Sequence, residues 1–198
     1  ESSVNLESVT FAGTPTITTI GTNAFKNSGT NKTTFTSITI PNSVTTIGAS
    51  AFEGVTTLTT INMSTEAETI GASAFQGCTG LTSFIIPNKI STLNDSLFKG
   101  CTSMTQVTLS SLVTNSIGQS VFENCSTLAT ILNINNINTT TLGIKTFKGC
   151  SQLQAFTIPG SIRNIEDEVF MNTGLSVISI PVLLETIGTS AFQNCTST

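Results

Sequence analysis

No histidine, tyrosine or tryptophan occurs in this chain, and charged residues fill only 9% of its 198 positions. The commonest general base is therefore missing, as is the phenol that often serves as an acid. Seven Lys and Arg, scattered from Lys26 to Arg163, face eleven Asp and Glu for a net charge of −4. Such a balance excludes the basic stripe that phosphate contacts require, so no nucleic-acid partner is expected. No apolar run approaches the roughly 18–20 residues of a membrane span. No phosphate-cradling G-x-x-x-x-G-K-[ST] or G-x-G-x-x-G motif is present, and no cofactor is expected. The chain is expected not to be an enzyme.

What fills the polar positions instead is Thr and Ser, 38 and 24 residues respectively. Low charge combined with 38% hydrophobic residues is the reverse of a disordered composition, so the chain should fold.

Self-comparison along the chain is the strongest signal. Phe recurs at Phe25, Phe52, Phe75, Phe98, Phe122, Phe147, Phe170 and Phe192, with spacings of 27, 23, 23, 24, 25, 23 and 22. Five residues before each stands an aliphatic: Ile20, Ile47, Ile70, Leu93, Ile117, Leu142, Ile165 and Ile187. Three residues after it, Cys78, Cys101, Cys125, Cys150 and Cys195 share a column with Ser28, Val55 and Thr173. Leu58, Leu81, Met104, Leu128 and Leu153 open the following units. The unit reads L-x-x-I-x-I-P-x-x-V-x-x-I-G-x-x-A-F-x-G-C-x-x.

In "LTSFIIP" (Leu81 to Pro87) the alternation predicts a strand with Leu81, Phe84 and Ile86 inward and Ser83 and Ile85 outward. Pro41, Pro87, Pro159 and Pro181 end such strands because proline donates no ladder hydrogen bond. A second short extended piece follows, as in "SVTTIG" (Ser43 to Gly48), and "SAFQGC" (Ser73 to Cys78) is expected to close the coil as one helical or 3₁₀ turn. A coil of about 23 residues cannot enclose its own apolar side chains, but stacking at about 4.8 Å buries them as ladders. Residues 1–198 are therefore expected to form a single solenoid of about eight coils of 22–25 residues, mainly β. Its length should be on the order of 40 Å.

The segments "SITIPNSVTTIGASAFEG" and "LTSFIIPNKI…FKGC" resemble the BspA-like leucine-rich repeat, whose I-P-x-x-V-x-x-I-G-x-x-A-F-x-x-C core covers nearly the whole chain. The resemblance implies a right-handed leucine-rich-repeat superhelix, with strands on a concave face and helical or 3₁₀ turns on a convex one. Members are typically surface proteins of bacteria and some parasitic protozoa. The resemblance thus implies a cell-surface or secreted location and adhesion to host or extracellular-matrix proteins, to other cells or to glycan, with no enzymatic activity. The concave face would carry one outward column of Thr39, Asn62, Ile85, Thr108, Leu132, Thr157 and Ser179. Its neighbour would be Ser37, Thr60, Ser83, Gln106, Thr130, Ala155 and Val177. Without Arg, Tyr or Trp this lattice lacks the usual hot-spot residues, so weak contacts repeated along it are expected. The alternative is a structural spacer or self-assembling array with recognition elsewhere in a longer protein.

Three features depart from the repeat: "NKTT" (Asn31 to Thr34), "LSSLVTN" (Leu109 to Asn115) and "LNINNINTTT" (Leu132 to Thr141). Insertions in solenoids emerge on one face, often the binding face. No polar capping unit is apparent at either end, so the stretch reads as a piece of a longer protein whose end coils can self-associate end to end.

Cysteines 23, 24, 25 and 45 residues apart, without His, do not make a zinc site. They read as buried structural thiols, because Ser, Val and Thr replace them in other coils. Acidic runs at Glu166, Asp167 and Glu168, and at Glu66 with Glu68, are expected on a solvated face. Six N-x-S/T sequons, at Asn31, Asn62, Asn94, Asn124, Asn138 and Asn194, are about what chance supplies from 17 Asn.

Overall fold

A computed structural model describes residues 6–29, 34–110 and 115–196. The chain winds as a parallel β-solenoid in which the eight ladder Phe mark successive coils, numbered here 1 (Phe25) to 8 (Phe192). Seven intervals between them make about seven turns.

Each complete coil contributes two short extended segments. The first-strand column holds β2 (Ser37–Thr39), β4 (Thr60–Asn62), β6 (Ser83–Ile85), β8 (Gln106–Thr108) and β10 (Thr130–Leu132). The second holds β1 (Thr19–Ile20), β3 (Thr46–Ile47), β5 (Thr69–Ile70), β7 (Thr92–Leu93), β9 (Ser116–Ile117), β11 (Thr141–Leu142), β12 (Asn164–Ile165) and β13 (Thr186–Ile187). All pairing is parallel and in register by repeat: Ile38 lies against Ile61, Phe84 against Val107 and Ile47 against Ile70. In coils 7 and 8 the first column is reduced to a bridge between Ala155 and Val177. Strands of two or three residues suffice because each coil is held by its neighbours rather than by its own length.

The arc from Gly71 to Cys78 is where the expected helical turn does not form. Ser73, Phe75 and Gly77 donate their N–H groups to Asp95, Leu97 and Lys99 of the next coil at 2.9, 3.0 and 2.7 Å. The intervening Ala74, Gln76 and Cys78 donate three residues back, to Gly71, Ser73 and Phe75. A helix would spend every N–H within its own coil. These tandem tight turns spend half of them on the neighbour and so continue the ladder around the coil. The alternation needs left-handed backbone on both sides of the ladder Phe, at Ser73 (φ 56°) and Gly77 (φ 70°). Ser50, Ser96, Ser120, Lys145, Glu168 and Ser190 also adopt it, at roughly 1–2 kcal/mol each for a residue with a Cβ. The single 3₁₀ element among the described residues, Ile134–Asn136, lies in the Asn-rich insertion instead.

The core is a set of columns. Ladder rings stack at centroid separations of 5.0 to 5.7 Å, with planes within 16° of parallel. Phe84 wedges between Phe75 and Phe98 at 5.0 and 4.8 Å, and Phe156 does the same between Phe147 and Phe170. Offset stacks of this kind add about 0.5–1.5 kcal/mol per pair beyond area burial. The recurring Ile-Gly pair has a packing cause: a Cβ at Gly48 or Gly71 would come within 2.5 Å of the Thr22 or Ala49 backbone nitrogen on the preceding coil.

Candidate functional site

The outward first-strand residues do line one exposed face. Ser37, Thr39, Thr60, Asn62, Ser83, Ile85, Thr130, Leu132, Thr157 and Ser179 are exposed there, while Gln106 and Thr108 are half-buried. Pairing in β2–β4 and β6–β8–β10 sets Ser37 beside Thr60, Thr39 beside Asn62, Ser83 beside Gln106 beside Thr130, and Ile85 beside Thr108 beside Leu132. Asn62 Nδ2 donates to Thr39 Oγ1 at 3.2 Å, so part of the polar lattice is internally bonded. Thr157 and Ser179, in the bridge-only coils, extend the face without a ladder.

This face is neutral and carries isolated aliphatics. Ile85 is 71% exposed and Val177 77% exposed. A cleft of about 430 Å³ opens between coils 3 and 4, where Thr60, Asn62 and Ser83 rim a floor containing Ile61, Met63 and Phe84.

Repeat counting on the first strand overlooked a second outward column, Thr19, Thr46, Thr69, Thr92, Ser116, Thr141, Asn164 and Thr186, which precedes the aliphatic of the second strand, buried in all but Ile187. Its signal was present in the sequence as the residue before each second-strand aliphatic, which Gly follows in six of the eight coils. Thr186 Oγ1 donates to Asn164 Oδ1 at 2.7 Å within it.

The cysteine column is chemically closed from Cys78 to Cys150. Cys78, Cys101, Cys125, Cys150 and Cys195 are free thiols. Their Sγ atoms donate to the ladder-Phe carbonyl of the preceding coil at 3.1 to 3.2 Å. Burial pushes the Cys78 and Cys125 thiols up to about 12 and raises those of Cys101 and Cys150 as well. A thiol so raised is not a nucleophile near neutral pH.

The acidic runs are tied to neighbouring coils rather than simply solvated. Glu166 Oε2 accepts the Ile144 N–H at 3.0 Å, Asp167 Oδ1 accepts that of Thr189 at 2.6 Å, and Glu168 pairs with Lys148. Lys26 pairs with Glu53 and Lys99 with Glu123, both at 2.9 Å. Burial opposes ionisation of Glu53, but hydrogen bonds from Ser50 and Lys26 outweigh it and hold its carboxyl below the usual value. These cations and carboxylates are thus spent on joining coils.

Of the three insertions, "NKTT" lies largely, and "LSSLVTN" centrally, outside the described residues. The Asn-rich one packs onto coil 5, where Asn133 and Asn136 donate side-chain amides to the Leu109 and Ser110 carbonyls at 3.1 Å each. Among the described residues no group of three or more Cys, Asp or Glu is gathered as a metal would need, and no helix is long and apolar enough to cross a membrane.

The sequence model described as BspA type leucine rich repeat region matches in six copies, over residues 30–139 and 68–198. No curated protein matches. Among solved structures, a leucine-rich repeat protein from T. pallidum superposes with a TM-score of 0.68 at 22% identity, over 84% of this chain and 76% of that one. One from Eubacterium ventriosum gives 0.62 at 25% identity, over 78% of this chain and 46% of that one. The pneumococcal vaccine antigen PcpA gives 0.53 at 19% identity, over 87% and 50%. The chain thus spans about three quarters of the first and about half of the other two.

Proposed function

This chain belongs to the BspA-type leucine-rich repeat family, and from that premise we propose that it is a non-enzymatic binding module of a cell-surface or secreted protein, adhering to a host or matrix protein or glycan. The first-strand face is the contact surface. The observation that carries this is the exposed, uncharged array running from Ser37 and Thr39 through Ile85 to Val177, while the described ion pairs join one coil to another. A surface of hydroxyls and single aliphatics makes small contacts. Repetition along the solenoid, rather than one hot spot, supplies affinity.

The experiment is retention of the purified chain on a panel of immobilised extracellular-matrix proteins and glycans, compared with a scrambled-surface control. Saturable retention on at least one is expected. No retention on any, with the fold intact, removes the proposal.

A further inference from the structure

Each junction between consecutive coils from 1 to 8 is laced by at least one paired strand column, with a single exception among the described residues. Between coils 3 and 4 neither β4 and β6 nor β5 and β7 pair. Other junctions show what is missing. Ile40 donates to Asn62 at 2.8 Å, Ile86 to Thr108 at 2.9 Å and Leu109 to Leu132 at 3.1 Å, but the equivalent bond from Met63 to Ile85 is absent. In the second column Glu68 donates to Thr45 at 2.8 Å and Asn115 to Ser91 at 2.8 Å, but Ser91 makes no such bond to Glu68.

In the second column the gap falls at Asn94, which occupies the column held by Gly48, Gly71, Gly118, Gly143 and Gly188. Those glycines press backbone against backbone, and Gly48, Gly71, Gly118 and Gly188 donate their N–H to the aliphatic carbonyl below, as Gly71 does to Ile47 at 2.8 Å, whereas Gly143 makes no such bond to Ile117 but sits at a junction that β8 and β10 lace. At Asn94 the side-chain Nδ2 takes that carbonyl instead, reaching Ile70 O at 2.6 Å, and displaces its own backbone N–H from the ladder. A Cβ alone does not do this. Glu166, also in the column, keeps its bond to Leu142 at 3.1 Å while its longer side chain turns to Ile144. Asn94 differs from Glu166 in that its short amide takes the acceptor its own backbone N–H would use.

The arc side of the same junction is intact. The three arc bonds from Ser73, Phe75 and Gly77 cross it, as do the Phe75–Phe98 stack at 5.7 Å and the Cys101 thiol bond to Phe75. On the strand side the bridging contacts are the part-buried Asn94 Nδ2 bond to Ile70 O at 2.6 Å, Phe84 packed on Phe75 at 5.0 Å, and exposed contacts in which Lys89 Nζ lies 2.7 Å from Glu66 Oε2 and 3.9 Å from Glu68 Oε1 and the Thr82 N–H reaches Thr59 O at 3.4 Å. Exposed ion pairs resist little. The cleft described above opens over this junction.

We propose that the junction between coils 3 and 4 is a hinge, with the arc as its axis and Asn94 as the residue that keeps the second strand column unlaced, so that the solenoid bends there and widens the cleft. The hinge is independent of what the chain binds.

Spin labels test it in the full chain with Cys195→Ser, the other thiols being buried. Thr69→Cys with Ser116→Cys spans two junctions including the hinge, and Thr19→Cys with Thr69→Cys spans two laced ones in the same column. The dipolar distance distribution of the first pair is expected to be at least ~2-fold broader, and Asn94→Gly should narrow it to the width of the second. Amide exchange at Met63 and Ser91 should be at least ~100-fold faster than at Ile40 and Glu68, with Ser91 slowed at least ~10-fold by Asn94→Gly. Equal widths for the two pairs, or a width unchanged by Asn94→Gly, would overturn the hinge. Fast exchange without a broader distribution would also overturn it, since that reports missing bonds without bending.

Discussion

The thiol of Cys101 donates to the carbonyl of Phe75, 3.2 Å away on the preceding coil, and the same carbonyl also accepts the N–H of Cys78 within its own coil at 3.2 Å. The column of cysteines is therefore a row of weak second donors that join coils through the carbonyls of the phenylalanine ladder. Val55 fills the same column with no donor, so the thiol adds to packing rather than determining it.

That closure predicts how the thiols behave. At pH 8 the folded chain should leave Cys78, Cys101, Cys125 and Cys150 unmodified by iodoacetamide, and all should react after unfolding, as mass spectrometry will read. The pH dependence has a definite sign. Folded Cys78 and Cys125 titrate near 12 against an ordinary value of 9.0, so the unfolded chain releases protons first. The contribution of these thiols to stability should be constant below about pH 9 and fall between about pH 9 and 12. Urea midpoints across that range check it.

Truncating an interior ring should cost far more than truncating one at the end of the ladder. Phe75→Ala removes a fully buried ring stacked on both sides and wedged by Phe84, and should destabilise by about 3–5 kcal/mol. Phe192→Ala, half-buried and stacked on one side, should cost less than half as much. Urea unfolding of the two variants gives the comparison.

Gly71→Ala should be damaging although alanine is the smallest possible change. Its Cβ would come within 2.5 Å of the Ala49 nitrogen, where a backbone rather than a flexible side chain must give way. A loss of about 1–3 kcal/mol is expected. Gly160→Ala, with open space around the position, should be near neutral in the same measurement.

The fold was legible in the sequence because a solenoid writes its core as columns: the aliphatic five residues before each Phe and the Cys three after it fall into the rows that the structure stacks. Strand directions in "LTSFIIP" followed from alternation alone. The arc was not legible. Its sequence, Ala-Phe flanked by Ser and Gly, suits a helical turn locally, and only the neighbouring coil makes tandem turns with left-handed residues favourable. The candidate face was half visible. Period-two counting located the first-strand columns, but the second outward column hid behind a two-residue strand too short to show a period. The junction at Asn94 was invisible for a similar reason, since a single Asn in a glycine column looks like drift until the missing ladder bonds around it are seen.

The most direct test of the account is affinity for whichever matrix protein or glycan retains the chain, measured by surface plasmon resonance on one face variant and one arc variant. Ile85→Asp places a charge on the exposed first-strand array, and Gln76→Asp places one on the arc. The account predicts that Ile85→Asp weakens binding by about tenfold or more, roughly 1.4 kcal/mol, while Gln76→Asp leaves it unchanged. Unchanged binding by Ile85→Asp together with a loss in Gln76→Asp would contradict it and move the contact surface to the arc.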